Sequence, residues 1–190
     1  MTDNFDLLKE FYARHPRVND SDTFLFGQIM ARKKDGASCA NSNNKVIKDL
    51  VFRTPEDFDK KKVEITTLCK TFGARAYVNV NPRSYKAVAL EMAGLCLDYI
   101  RRGSENAIRT AFSTTCGRSI TKGGYWVIDI DDSRLVEPVS ALIPTEKFAV
   151  PTVNGLHLLC KGFDTRPLRK AFCDEIDIHK NNPTLLYYGG

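Results

Sequence analysis

Hydrophobic positions recur at helical spacing over residues 3–14, where Phe5, Leu8, Phe11 and Tyr12 fall on one side. Residues 23–31 and 46–53 read as strands. The loop between them, Arg32 to Asn44, is rich in Lys, Gly, Asn and Ser and is expected to be mobile. Thr54-Pro55-Glu56-Asp57 combines a cap, a first-turn proline and an acid, which predicts a helix start. Phe58, Ile65, Leu68 and Phe72 give that helix a core face, and Gly73 ends it. A strand over 75–80 follows, then a long helix over 84–102 expected to bury Tyr85, Val88, Met92, Leu95 and Tyr99. A shorter helix covers 105–112.

The second half alternates differently. Strands are predicted at 125–130, 148–152 and 156–160, a short helix from Asp164 through Phe172, and strands near 175–178 and 184–188. With a helix capped by Asp131-Asp132-Ser133, the order is strand, helix, strand, strand, helix, strand, a split β-α-β module on an antiparallel sheet. The predicted fold class is α+β. The chain is expected to be one compact domain over 1–190, with an N-terminal α/β unit (1–113) sharing its core with a C-terminal module (114–190).

Composition narrows the class. With 190 residues, 43% hydrophobic and 27% charged, the chain is neither disordered nor fibrous, and no apolar run suits a membrane span or a signal peptide. A cytoplasmic location is expected. The six cysteines include no C-x-x-C pair, which argues against a zinc knuckle or a disulfide framework and for incidental thiols. Residues 1–102 carry 18 Lys/Arg and 13 Asp/Glu, whereas residues 103–190 carry 10 of each. All of the net charge of +5 therefore sits in the first half, where a polyanion could bind.

The segment Trp126-Val-Ile-Asp129-Ile-Asp131 carries the most chemistry. Residues two apart in a strand share a face, so Asp129 and Asp131 present two carboxylates together, with Val127 beside them and Ile128 and Ile130 opposite. A hard divalent cation relieves such repulsion, although a strand ending in a polar turn would look the same. In Gly155-Leu156-His157 a residue without a side chain precedes a histidine on the same face, leaving room for a ligand against the sheet. Lys161 follows on that strand. In Glu175-Ile176-Asp177-Ile178-His179 an aspartate lies between two isoleucines, with His179 on its face. In the basic half, Arg75, Asn79, Asn81 and Arg83 lie around one strand and the start of the next helix, where Asn81-Pro82-Arg83-Ser84 also reads as a helix-starting turn with Ser84 as cap. Arg32, Lys33 and Lys34 are candidate phosphate contacts on the loop.

The order Val127-Ile128-Asp129-Ile130-Asp131, Gly155-Leu156-His157, Ile176-Asp177 resembles the signature of the archaeo-eukaryotic primase (primase-polymerase) superfamily. The resemblance is specific over residues 125–178 and loose elsewhere. It implies an RNA-recognition-like C-terminal module in which Asp129, Asp131 and Asp177 are catalytic and hold Mg²⁺ or Mn²⁺. It also implies that Gly155, His157, Lys161 and Arg166 bind the nucleotide, and that Arg75, Asn79, Asn81 and Arg83 contact a template backbone or an incoming nucleotide. The implied reaction is metal-dependent transfer of nucleotides from NTP or dNTP to a single strand or template-primer in DNA replication. The sequence lacks the cysteine cluster of many primases, so the likeness is to a minimal catalytic core, for which a helicase or accessory replication subunit is an expected partner.

Two other readings use the same residues. A metal-dependent nuclease would employ the three aspartates with His157 as general base. A catalytically inactive nucleic-acid-binding module would keep the fold and show salt-sensitive binding without a magnesium effect. No P-loop, G-x-G-x-x-G, H-E-x-x-H or G-x-S-x-G is present, and no cysteine lies in a context that would make it a nucleophile.

Overall fold

The computed structural model describes residues 1–14, 21–36, 44–118 and 124–190. Among the described residues, ten strands and six helices follow the order β1 (Thr2–Asp3), α1 (Phe5–Ala13), β2 (Thr23–Arg32), β3 (Asn44–Phe52), α2 (Asp57–Phe72), β4 (Ala74–Asn79), β5 (Arg83–Ser84), α3 (Tyr85–Arg101) and α4 (Ala107–Arg118). The second half supplies β6 (Tyr125–Ile130), α5 (Val136–Ala141), β7 (Lys147–Pro151), β8 (Leu156–Lys161), α6 (Arg166–Phe172), β9 (Asp177–His179) and β10 (Pro183–Tyr188). The α+β class holds. Among the described residues no helix is long and apolar enough to cross a membrane. The centre of the predicted loop, residues 37–43 including Cys39, lies outside the described residues.

Local chemistry fixes several boundaries. Gly73 ends α2 in the left-handed conformation, with φ of 57°. Ser84 caps α3 by accepting from the Ala87 amide at 3.1 Å. Asp132 accepts from the Arg134 amide at 2.9 Å, turning the chain into α5.

A larger sheet has the order β1-β10-β4-β2-β3, with β5 paired to β2, and a four-stranded sheet has the order β7-β8-β6-β9. Every pairing is antiparallel. The smaller sheet has the split β-α-β order expected from the sequence. The larger sheet departs from the expected division at residue 113. Its strand β10 comes from the last residues of the chain and lies between β1 and β4.

Alternation along β2 and β4 explains how the sheets are joined. Leu25, Ile29 and Ala31 of β2 and Ala74, Ala76 and Val78 of β4 enter one core with α1 and α2. That core also takes Val127, Val150 and Leu159 of the smaller sheet, so the two halves share it. Phe11 of α1 makes the joint, packing on Tyr125 and Phe148 at ring distances of 4.9 and 5.0 Å. The outer side of the smaller sheet, Ile128, Ile130, Leu158 and Cys160, is covered by α5 and α6 in a second core. Helix α3 differs from expectation: of its predicted stripe only Val88 is fully buried, and Tyr85, Met92, Leu95 and Tyr99 are half-buried.

Candidate active site

Strand β6 sets the site through its alternation. Val127 is buried in the shared core, and Asp129, two residues on, leaves that core for a cleft on the same side. Because β6 lies between β8 and β9, Asp129 has His157 as its register partner on one side and Asp177 on the other. Three residues from distant segments thus form one row across the sheet. Asp131 lies just beyond β6 and is exposed, and His179 pairs with Val127 and lines the same cleft.

His157 is fixed at both ring nitrogens. Its Nδ1 lies 2.9 Å from the hydroxyl of Thr184, a fully buried residue of β10, and its Nε2 lies 3.3 Å from Asp129 Oδ1. An ionised carboxylate only accepts, so in the neutral ring Nε2 carries the hydrogen and the Thr184 hydroxyl donates to Nδ1. The larger sheet therefore orients a side chain of the smaller one.

Gly155 has a different role from the one its sequence position suggests. A Cβ there would sit 2.0 Å from Ile130 O and 2.8 Å from Asp131 Cα. The missing side chain makes room for the main chain itself, letting the start of β8 lie against the end of the acidic strand. The turn is closed by the Thr152 amide donating to Gly155 O at 2.9 Å and the Gly155 amide donating to Thr152 Oγ1 at 3.0 Å.

The facing wall belongs to the larger sheet. Arg32 of β2 donates to Tyr77 Oη at 2.9 Å, and Arg75 of β4 pairs with Asp35 at 2.6 Å while its guanidinium lies 4.7 Å from the Tyr188 ring centre. Together the walls enclose about 330 Å³, lined by Arg32, Arg75 and Tyr77 on one side and by Asp129, Asp131, His157 and His179 on the other. One wall can hold a cation and the other an anion.

No family model matches this chain, and no curated protein or solved structure matches it. The cleft has to be read from its own chemistry. Asp129 and Asp131 line it, whereas Asp177, the register partner of Asp129, does not; all three are hard oxygen donors, which suits Mg²⁺ or Mn²⁺ in kind. Among the described residues, no three His, Cys, Asp or Glu side chains already converge as a metal cage.

Other residues singled out in the sequence lie elsewhere. Lys161 is at the far end of β8, roughly 13 Å along the strand from His157 at about 3.3 Å per residue, with its ammonium 3.9 Å from the Tyr125 ring centre. Arg166 begins α6 on the opposite side of the smaller sheet, exposed and paired with Asp164 at 2.7 Å. Neither lines the cleft.

Asn79, Asn81 and Arg83 are interior, at 6%, 2% and 0% exposure, which does not fit a contact to a template. Arg83 donates to Cys116 O at 2.7 Å, Asn81 O at 3.0 Å and Asn181 Oδ1 at 3.0 Å. Burial pushes its guanidinium down to about 10, so it stays charged at neutral pH. Asn81 brackets Tyr125, donating to its carbonyl at 2.8 Å and accepting from its amide at 2.6 Å. Asn181 also donates to Gly117 O at 3.2 Å. These residues tie down the start of β6 and the turn after β9, the two strands that bear Asp129 and Asp177. Of the basic half's candidates, Arg75 and Arg32 reach the cleft. Tyr77 and Thr184 were not anticipated. Tyr77 had a signal, since it shares a strand face with Arg75, whereas Thr184 had none.

Proposed function

We propose that this protein is a metal-dependent nucleotidyltransferase of the primase-polymerase kind, adding nucleotides from NTP or dNTP to a nucleic-acid strand in the cytoplasm. The observation that carries the reading is the row His157–Asp129–Asp177 across three strands, with Asp131 on the same side and two arginines facing it over the cleft. Asp129, Asp131 and Asp177 would hold one or two Mg²⁺ or Mn²⁺ ions. When bound, the metal lowers the pKa of an attacking 3′-hydroxyl and offsets charge on the leaving pyrophosphate.

The chain's own residues do the rest. Arg32 and Arg75 oppose the negative charge of the phosphates, and Arg75 gains an anionic ligand only by exchanging Asp35 for it. His157, held by Thr184, presents Nε2–H at the edge of the acidic row, where it can donate to a phosphate oxygen. A single strand or template-primer reaches the cleft from the basic half, and a helicase or accessory replication subunit is the expected partner for delivering it.

Primer extension and de novo synthesis on a single-stranded template, with labelled nucleotides and Mg²⁺ or Mn²⁺, test this. Incorporation is expected, and Asp129→Ala/Asp131→Ala should lower it by about three orders of magnitude, the scale on which electrostatic groups at reacting phosphates act. Absence of incorporation with either metal sinks the reading. The nuclease alternative has its own support in the closeness of His157 to Asp129, and shortening of the strand would select it.

A further inference from the structure

Arg75 and Arg83 lie close in sequence and are both withdrawn from solvent, yet they are satisfied to different degrees. Each guanidinium nitrogen of Arg83 meets an acceptor. Arg75 donates from Nη2 to Asp35 Oδ1 at 2.6 Å, and among the described residues its Nε is buried without a partner. Asp35 mirrors the defect: its side chain is 6% exposed, and its Oδ2 is also buried without a partner. A guanidinium and a carboxylate that fit each other make two parallel hydrogen bonds. This pair makes one and leaves an orphaned atom on each side. Such a geometry recovers little of the cost of taking both charges out of water, so the pair is a poor brace for the fold.

The surroundings of Arg75 point to a ligand instead. Arg75 lines the cleft together with Arg32, opposite Asp129 and Asp131, whereas Asp35 lies outside that lining. The carboxylate comes from the short turn Lys33–Asp35 that follows β2, closed by the Gly36 amide donating to Lys33 O at 3.0 Å. That turn sets a negative charge behind the basic wall of the cleft, where it opposes any anion in front.

We infer that Asp35 is a built-in competitor for the anion subsite of this cleft: it holds Arg75 until a phosphate chain draws the guanidinium away. An incoming phosphate offers two oxygens to the planar fork and can take up the orphaned Nε, which the carboxylate does not. Arg32 and Arg75 on one wall suit a ligand that carries more than one phosphate. Arg75 is competent only in the fraction of molecules in which Asp35 has let go, so the apparent affinity is lowered by that fraction. This role of Asp35 rests on the reading that phosphates enter the cleft, and it concerns access to the site rather than the transfer step.

Titration calorimetry of the whole chain with sodium tripolyphosphate, in metal-free buffer of fixed low ionic strength, tests it. Leaving out the metal makes the result independent of whether the aspartates hold one. Asp35→Asn keeps the shape and removes the charge. It should bind tripolyphosphate about tenfold more tightly than the wild type, the scale of exchanging a charge-assisted hydrogen bond for a neutral one. Asp35→Ser should act in the same direction. Arg75→Gln should weaken binding by about tenfold, and adding Asp35→Asn to it should then change the affinity by less than about twofold. That cycle separates competition for Arg75 from the general gain of removing a negative charge. The inference is overturned by Asp35→Asn and Asp35→Ser binding no tighter than the wild type, the result expected of a carboxylate that merely positions Arg75. A tightening that persists without Arg75, or no binding by any variant, overturns it too. A tightening that depends on Arg75 upholds it even where primer extension fails, so the two proposals fall separately.

Discussion

Two groups of polar residues in this molecule look alike along the chain and behave oppositely in the fold. Asn79, Asn81 and Arg83 close on the protein's own carbonyls and amides, and Arg83 has no exposure at all. Asp129, Asp131, Asp177 and His157 open towards solvent on one face of the smaller sheet. The first group makes a joint and the second a candidate site, and the joint holds the strands on which the site is mounted. The contrast teaches that a buried cation need not signal a ligand when carbonyls already surround it.

Replacing each group separates the two roles. Arg83→Ala leaves Cys116 O, Asn81 O and Asn181 Oδ1 without their donor, and should cost about 3–5 kcal/mol of stability, read as a lower urea midpoint. Asp129→Asn should leave that midpoint nearly unchanged while removing nucleotide incorporation. If Arg83→Ala were neutral to folding, the distinction between joint and site would fail.

Gly155 lies at the border of the two. Gly155→Ala forces a Cβ onto Ile130 O and the Asp131 main chain, so the start of β8 must move away from the acidic strand. A loss of about 1–3 kcal/mol is expected, as for other overpacked positions, together with a fall in incorporation larger than the fall in folded population. Equal falls in both would assign Gly155 to the joint alone.

A smaller effect comes from the thiols. Burial pushes Cys69 and Cys116 up to about 12 and Cys160 up to about 11. In the unfolded chain these thiols ionise near pH 9, so above that pH the unfolded state loses protons that the folded state keeps. Their contribution to stability is present below pH 9 and is lost between pH 9 and 12. Stability to urea should be nearly flat from pH 7 to 8.5 and then fall, by on the order of 1 kcal/mol for each thiol by pH 10. The exposed Cys173 should be alkylated in the native protein while these three are not. Alkylation of the buried set at the rate of Cys173 would show that the core opens far more readily than the packing implies.

Much of this was legible along the chain, for definable reasons. The alternation in Tyr125–Ile130 gave the strand, its buried isoleucines and the face of its acids, because a half-buried strand writes its two sides at every second residue. The helix start near residue 85 was legible from the Ser84 cap, whereas α2 begins at Asp57 after Glu56 without the side-chain cap expected of Thr54. Sheet membership was not. The run Thr184–Tyr188 looks the same whether it joins the smaller sheet or the larger, and only tertiary pairing decides. That decision brought Thr184 to His157, a contact with no local trace. Nor does an asparagine or arginine disclose from its neighbours whether it will face water or a ring of carbonyls, so the joint was mistaken for a surface. The weakly buried α3 escaped because periodicity identifies an apolar stripe without telling how many the helix has.

The position of β10 has a consequence for how the chain is made. The larger sheet cannot be completed from the first half alone, because its strand between β1 and β4 is supplied by residues 183–188. During synthesis, β4 therefore waits with an open edge until residues 183–188 have left the ribosome. An open edge is a template for the wrong neighbour. Folding of the two halves is coupled through that last strand, and a stalled or shortened product should be handed to chaperones and proteases as an incomplete sheet, with an orphaned histidine where Thr184 belongs.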